Sequence, residues 1–127
     1  MSHETILIVE DNPINLKLIQ IVLDLEKYQI YSASDGQAMF EILRTIHPTL
    51  ILMDIQLPGY SGIQLTEMLK KDEKYKDIII VALTAYAMPG DRKKMLSAGC
   101  NEYIEKPIDV STFPHLISDI ILKHSEY

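Results

Sequence analysis

The chain has a single cysteine, Cys100, so no internal disulfide can form; its place directly after Gly99 suits a small, partly buried side chain. No apolar run approaches the roughly 20 residues of a membrane-spanning helix, and the longest, Ile78 to Leu83, falls far short. The N-terminus lacks the basic and then apolar layout of a signal peptide, which predicts a cytoplasmic protein with no membrane insertion. Positive charge is also scarce. Twelve Lys and Arg stand against 18 Asp and Glu, a net charge of −6, which argues against nucleic acid as the main partner because duplex binding relies on clustered cations at phosphates. The nearest basic cluster, Arg92, Lys93 and Lys94, reads as a solvated helix face. His3, His47, His115 and His124 are scattered without ligand spacing, so no zinc site is expected. Repeats, low-complexity segments and linkers are missing as well. The 127 residues, 47% apolar and 24% charged, have the balance of one ordinary globular domain spanning 1–127.

What is present is alternation. Ile6 to Val9 is a β-branched-rich run that closes on Glu10-Asp11 and reads as a buried strand. Asn12 then caps a helix that Pro13 opens, with Ile14, Leu18, Val22 and Leu25 as its apolar face. Tyr28 to Ala33 alternates weakly and predicts a short edge strand, followed by a helix from about Gln37 to Ile46 with Ala38, Ile42 and Leu43 facing inward. Leu50 to Met53 is a third buried strand. A helix after Gly62 carries Ile63, Thr66 and Leu69 with Met68 alongside, and a fourth strand, Ile78 to Leu83, stops at Thr84. Pro89-Gly90-Asp91 opens a helix that Gly99 ends, Glu102 to Glu105 forms a fifth strand, and a helix starting near Ser111 or Thr112 buries Leu116, Ile117, Ile120 and Ile121.

Five strands alternating strictly with five helices predict an α/β fold: a parallel sheet with helices on both faces, in the flavodoxin-like strand order 2-1-3-4-5. In that order the first and third strands are neighbours at the switch point, where ligands bind beyond the carboxyl ends. Asp54 ends the third strand, and Pro58, Gly59 and Gly62 turn the chain at once. Alone, Asp54 is as well explained as a turn cap. The same edge, however, gathers Glu10, Asp11, Thr84 and Lys106. Three crowded carboxylates repel, and a cation resolves the repulsion; an all-oxygen donor set suits Mg²⁺. A carboxylate can also act as a nucleophile toward phosphorus, with Lys106 neutralising charge and the Thr84 hydroxyl donating a hydrogen bond.

VEDNPIN, LILMDIQLPGYSG, ALTAYA and YIEKPID, in this order, resemble the receiver domains of bacterial two-component response regulators over nearly the whole chain. Among these, the chain is most similar to single-domain DivK-type regulators, with no output domain expected. The resemblance implies that Asp54 accepts a phosphoryl group from a phosphohistidine of a histidine kinase or histidine phosphotransferase. Mg²⁺ would be held by Glu10, Asp11, Asp54 and the backbone carbonyl of Gln56. It further implies that Thr84 and Lys106 contact the phosphoryl group, that a cis bond before Pro107 places Lys106, and that Thr84 and Tyr103 form a coupled switch read by a downstream protein effector. Many members carry two aspartates where this chain has Glu10-Asp11, which leaves open whether Glu10 reaches the metal directly or through water. Gln56 and Tyr86 occupy positions that tune loss of the phosphoryl group. Neither side chain is an obvious general base, so a self-phosphorylating acceptor with slow autodephosphorylation is expected rather than a turnover enzyme.

Other readings are a receiver excised from a hybrid histidine kinase and a phosphorylation-independent interaction module. A haloacid-dehalogenase-like phosphatase needs a second acid where this chain has Gln56, and a flavodoxin-like cofactor binder needs a phosphate loop where EDNPIN would repel phosphate.

Overall fold

The computed structural model describes residues 4–26, 28–85 and 89–124. In order along the chain these form β1 (Thr5–Val9), α1 (Pro13–Asp24), β2 (Gln29–Ala33), α2 (Gly36–Leu43), β3 (Leu50–Asp54), α3 (Gly62–Lys70), β4 (Ile79–Thr84), α4 (Pro89–Ala98), β5 (Glu102–Glu105) and α5 (Phe113–His124). The strands pair in parallel in the order β2-β1-β3-β4-β5, as the alternation predicts. His3 and Tyr86 lie outside the described residues.

Side chains alternate across the sheet and feed two cores. Ile6, Ile8, Leu50, Leu52, Val81, Leu83 and Ile104 pack on one face with residues of α1 and α5. Leu7, Val9, Ile51, Met53, Ile80 and Ala82 pack on the other with residues of α2, α3 and α4. β3 and β4 are buried along their whole length, so both are continuous apolar runs without polar alternation. Local signals start the helices where expected. Asn12 Oδ1 accepts from the Ile14 and Asn15 amides at 2.9 and 3.1 Å, and Pro13 takes the first helical position. Ser61 and Gln64 form a reciprocal capping box at α3, and Gly99 ends α4 with φ of +113°.

Several boundaries and faces differ from the sequence reading. In α1 the buried residues are Ile19, Val22 and Leu23, whereas Ile14 and Leu25 are each 78% exposed and Leu18 is also exposed. Apolar residues populate two sides of this helix, and the neighbouring α5 and the sheet cover only one of them. In α2, Met39 and Leu43 go inward, with Ala38 and Ile42 only partly buried, and the helix ends at Leu43 rather than Ile46. In α3 the buried set is Leu65, Thr66 and Leu69; Ile63 is half-buried and Met68 faces solvent. α5 begins at Phe113, whose ring is itself buried, and Leu116 is exposed.

Two polar clasps tie helix ends to strand starts. Lys70 Nζ, at the end of α3, donates to the carbonyl of Ile78 at 2.8 Å, to that of Lys76 at 3.2 Å and to Asn101 Oδ1 at 3.3 Å. Burial lowers its pKa. At the same edge of the sheet, His124 Nε2 and Lys123 Nζ lie 2.8 and 3.1 Å from Glu102 Oε2, joining the end of α5 to the start of β5.

A Cβ on Gly62 would sit 2.2 Å from the Asp54 carbonyl oxygen and 2.9 Å from Ile55 Cα, both backbone atoms. Gly62→Ala is therefore expected to lower stability by about 1–3 kcal/mol or more, read from the denaturant midpoint. Gly90→Ala, with nothing within 4 Å of the new methyl and a place inside α4, should be neutral or raise it by up to about 1 kcal/mol. The His124 hydrogen bond, ahead of Lys123, holds the Glu102 carboxyl below its ordinary pKa. A depressed acid stabilises the fold above its unfolded pKa and loses that contribution as pH falls through the folded value. Glu102→Gln should thus cost up to about 1 kcal/mol at pH 7, and the gap to the parent should close on acidification below the ordinary carboxylate range in parallel denaturation curves.

Candidate functional site

The site forms because four strands, β1, β3, β4 and β5, end at one edge. β1 stops at Val9, so Glu10 leaves the sheet while its amide still bonds the Ala33 carbonyl at 3.0 Å. β3 ends on Asp54 itself, paired with Leu83 of β4. β4 ends on Thr84, which pairs with Glu105 of β5, and the Thr84 carbonyl accepts the Lys106 amide at 2.7 Å. Parallel register thus brings Glu10, Asp54, Thr84 and Lys106 together from positions far apart in sequence.

The loops fix the acids further. The Asn12 amide donates to Glu10 Oε2 at 3.1 Å, and the Gln56 amide donates to Asp54 Oδ1 at 3.0 Å. The turn past Asp54 is tight: Ile55 N bonds the Leu83 carbonyl, Gly62 N bonds the Ile55 carbonyl, and Gly59 takes a φ of +74° that favours glycine. The peptide between Lys106 and Pro107 is cis, as the resemblance implies.

Lys106 Nζ lies 3.0 Å from Glu10 Oε1 and 3.2 Å from Asp54 Oδ2, bridging both carboxylates. Glu10 and Asp54 are buried, at 1% and 4% exposure, while Asp11 is exposed at the rim. Burial first, and the adjacent Asp54 carboxylate second, push the Glu10 carboxyl up to about 7 despite the lysine. For Lys106, burial pulls the pKa down, but the two acids outweigh it and hold the ammonium above its ordinary value. One ammonium therefore leaves the carboxylates under-compensated.

The donor set fits a hard divalent cation. Oxygens of Glu10, Asp11 and Asp54 lie within 4.8 Å of one another, all three are carboxylates, and Glu10 Oε1 is buried without an aligned hydrogen bond. Among the described residues, the predicted site residues Glu10, Asp11, Asp54, Gln56, Thr84 and Lys106 all belong to this edge. Tyr103 does not reach it. It is half-buried on β5 opposite Ala82, packed with the core beneath α2, α3 and α4.

Two features escaped the sequence reading. The Arg92 guanidinium sits 5.1 Å from the centroid of the Tyr103 ring, although Arg92 reads as part of a solvated basic face. The exposed row Ile14, Leu18, Ile21 and Leu25 on α1 was legible only as helical spacing, which does not say which side is covered.

Comparison with known proteins agrees with this geometry. The chain is 40% identical over 118 residues to the polar-differentiation response regulator DivK of Brucella ovis, covering 93% of this chain and 96% of that one. The receiver domain of a sensor histidine kinase from Pseudomonas aeruginosa, solved with a magnesium ion coordinated in the active site cleft, is 32% identical with a TM-score of 0.84, over 94% of this chain and 98% of that one. A phosphorylated cyanobacterial phytochrome response regulator, RcpA, is 26% identical with a TM-score of 0.84 over 98% of each chain. Residues 6–118 match the response regulator receiver domain, and with the acid edge and the strand order in place, this chain belongs to that family.

Proposed function

We propose that this chain is a phosphoryl acceptor in a two-component phosphorelay. The observation that carries the reading is the buried Asp54 at the carboxyl edge of the sheet, flanked by Glu10 and Asp11 and 3.2 Å from Lys106. An oxygen of the Asp54 carboxylate attacks the phosphorus of a phosphohistidine; the new P–O bond forms as the P–N bond breaks, and the imidazole leaves on the donor protein. The Gln56 amide on Oδ1 holds the plane of the carboxylate during attack. Lys106, already between two acids, exchanges its Asp54 contact for a phosphoryl oxygen, and Thr84 at the end of β4 donates its hydroxyl to another. Mg²⁺, held by Glu10, Asp11, Asp54 and the Gln56 carbonyl, would neutralise the remaining phosphoryl charge.

The donor is a histidine kinase or histidine phosphotransferase, and the exposed α1 row supports a protein donor. Ile14, Leu18, Ile21 and Leu25 are 78%, 37%, 53% and 78% exposed, and the row begins just past Glu10 and Asp11 at the site's lip. A partner that brings its histidine to Asp54 would cover it. Output follows from the roughly −1.5 to −2 charges added at Asp54, transmitted by Thr84 and Tyr103 to a downstream protein. No described helix is long and apolar enough to cross a membrane, and the net charge of −6 offers no match to a nucleic acid. The 40% identity to DivK favours a regulator of that kind over a receiver excised from a hybrid kinase.

Incubation with Mg²⁺ and a small-molecule phosphodonor should add one phosphoryl group by intact mass, absent in Asp54→Ala and in EDTA. No adduct on a folded parent would leave only the fold standing. Once formed, the adduct should decay over minutes or longer, because Gln56 offers no general base; decay within seconds would contradict this. Ile21→Glu should leave labelling by the small donor unchanged while slowing transfer from a phosphorylated histidine phosphotransferase at least about tenfold, the effect of roughly 1.4 kcal/mol at an interface. Equal slowing with both donors would remove α1 from the docking surface.

A further inference from the structure

α4 is the least anchored helix of the fold. Its sequence, PGDRKKMLSA, is mostly polar, and among its described side chains only Met95 and Ala98 are buried, while Leu96 is 48% exposed. So little apolar burial makes an element cheap to displace. It rests beside β5, which is itself a four-residue edge strand paired only with β4. The contact that joins them is chemically specific. Arg92, in the first half of α4, places its guanidinium carbon 5.1 Å from the centre of the Tyr103 ring. A cation at this distance over the face of an aromatic ring is attracted by the ring's quadrupole.

We propose that Arg92 is a latch: by stacking on Tyr103 it holds α4 on β5 in the resting state and sets how much the site must gain before that face rearranges. Side chains on β5 alternate, so Ile104 joins the core under α1 and α5 while Tyr103 faces the α4 side. Tyr103 pairs with Ala82, two positions before the Thr84–Glu105 pair, and three residues before Lys106. The ring that Arg92 clamps is therefore on the strand that delivers Lys106 to Asp54 and is registered against the strand that delivers Thr84. A shift of Thr84 and Lys106 toward a phosphoryl group pulls on this strand pair. Tyr103 turns only by leaving Arg92, and the stack then opposes the transition by its full strength. Arg92 touches no reacting atom; it is a positioning residue acting through Tyr103. Its neighbours Lys93 and Lys94 carry the same charge without a ring contact among the described residues. This inference rests on phosphorylation at Asp54.

The chain has no tryptophan, so Tyr103→Trp creates a sole tryptophan, excited selectively over the remaining tyrosines, that also keeps an aromatic face for the guanidinium. In that background the full chain is titrated with beryllofluoride in excess Mg²⁺, and Arg92 is compared with Arg92→Gln, Arg92→Lys and Lys93→Gln. Arg92→Gln is expected to lower the beryllofluoride midpoint about two- to fivefold and to raise acrylamide quenching of the free protein. Arg92→Lys should restore part of the shift, and Lys93→Gln, with the same charge loss, should match the parent. An unchanged midpoint in Arg92→Gln overturns the latch, as does an equal shift in Lys93→Gln, which would reduce the effect to net charge. Emission that ignores beryllofluoride in every variant, while intact mass shows normal Asp54 labelling, overturns the latch and leaves the phosphoryl chemistry in place. Loss of Asp54 labelling in the parent chain overturns both.

Discussion

Everything at the carboxyl edge depends on how two buried carboxylates share one ammonium. Glu10 and Asp54 are almost completely removed from water, and Lys106 reaches both within 3.2 Å. Desolvation of an ionised acid is expensive, and one cation between two acids compensates it only in part. The result is visible in Glu10, whose carboxyl rises to about 7 beside the ammonium that should lower it. A purely structural ion pair would gain by removing one acid. Retaining both, with Asp11 at the rim, leaves the edge suited to more positive charge, and the similar receiver domain from Pseudomonas aeruginosa was solved with a magnesium ion coordinated in its own active site cleft.

The rest of the fold exists to hold this imbalance in register. Lys106 is placed by its amide on the Thr84 carbonyl, Asp54 by its pairing with Leu83 at the end of a strand flanked by β1 and β4, and Glu10 by its amide on the carbonyl of Ala33 at the end of β2. Gly62 lets α3 begin directly against the Asp54 carbonyl, so the loop that carries the Gln56 amide folds back without slack. Two fully covered cores make the sheet rigid under the site, while the polar α4 and the short edge strand β5 leave a compliant side. Rigidity beneath Asp54 and compliance beside Tyr103 fit the phosphoryl-driven signal proposed above.

The acids, the lysine and their assignment to strand ends were legible in the chain because each follows an apolar run and precedes a turn. Such punctuation is local chemistry: Asn12-Pro13 starts a helix and Gly99 ends one, whatever surrounds them. Helix faces were less legible. α1 carries apolar residues on two sides, and the spacing of Ile14, Leu18 and Leu25 is as regular as that of the buried Ile19, Val22 and Leu23.

The sequence by itself therefore determined the order of elements, the parallel sheet and the identity of the residues at its carboxyl edge, because these follow from short-range periodicity, caps and the handedness of crossovers, while the 2-1-3-4-5 order followed from the known architecture that five alternating strands fit best. Only the tertiary structure decided which side of α1 is covered, that Lys106 bridges Glu10 and Asp54, and that Arg92 lies on Tyr103 instead of in solvent. Burial and charge contacts are properties of a neighbour as much as of a residue. The neighbour is known only once the strands have paired.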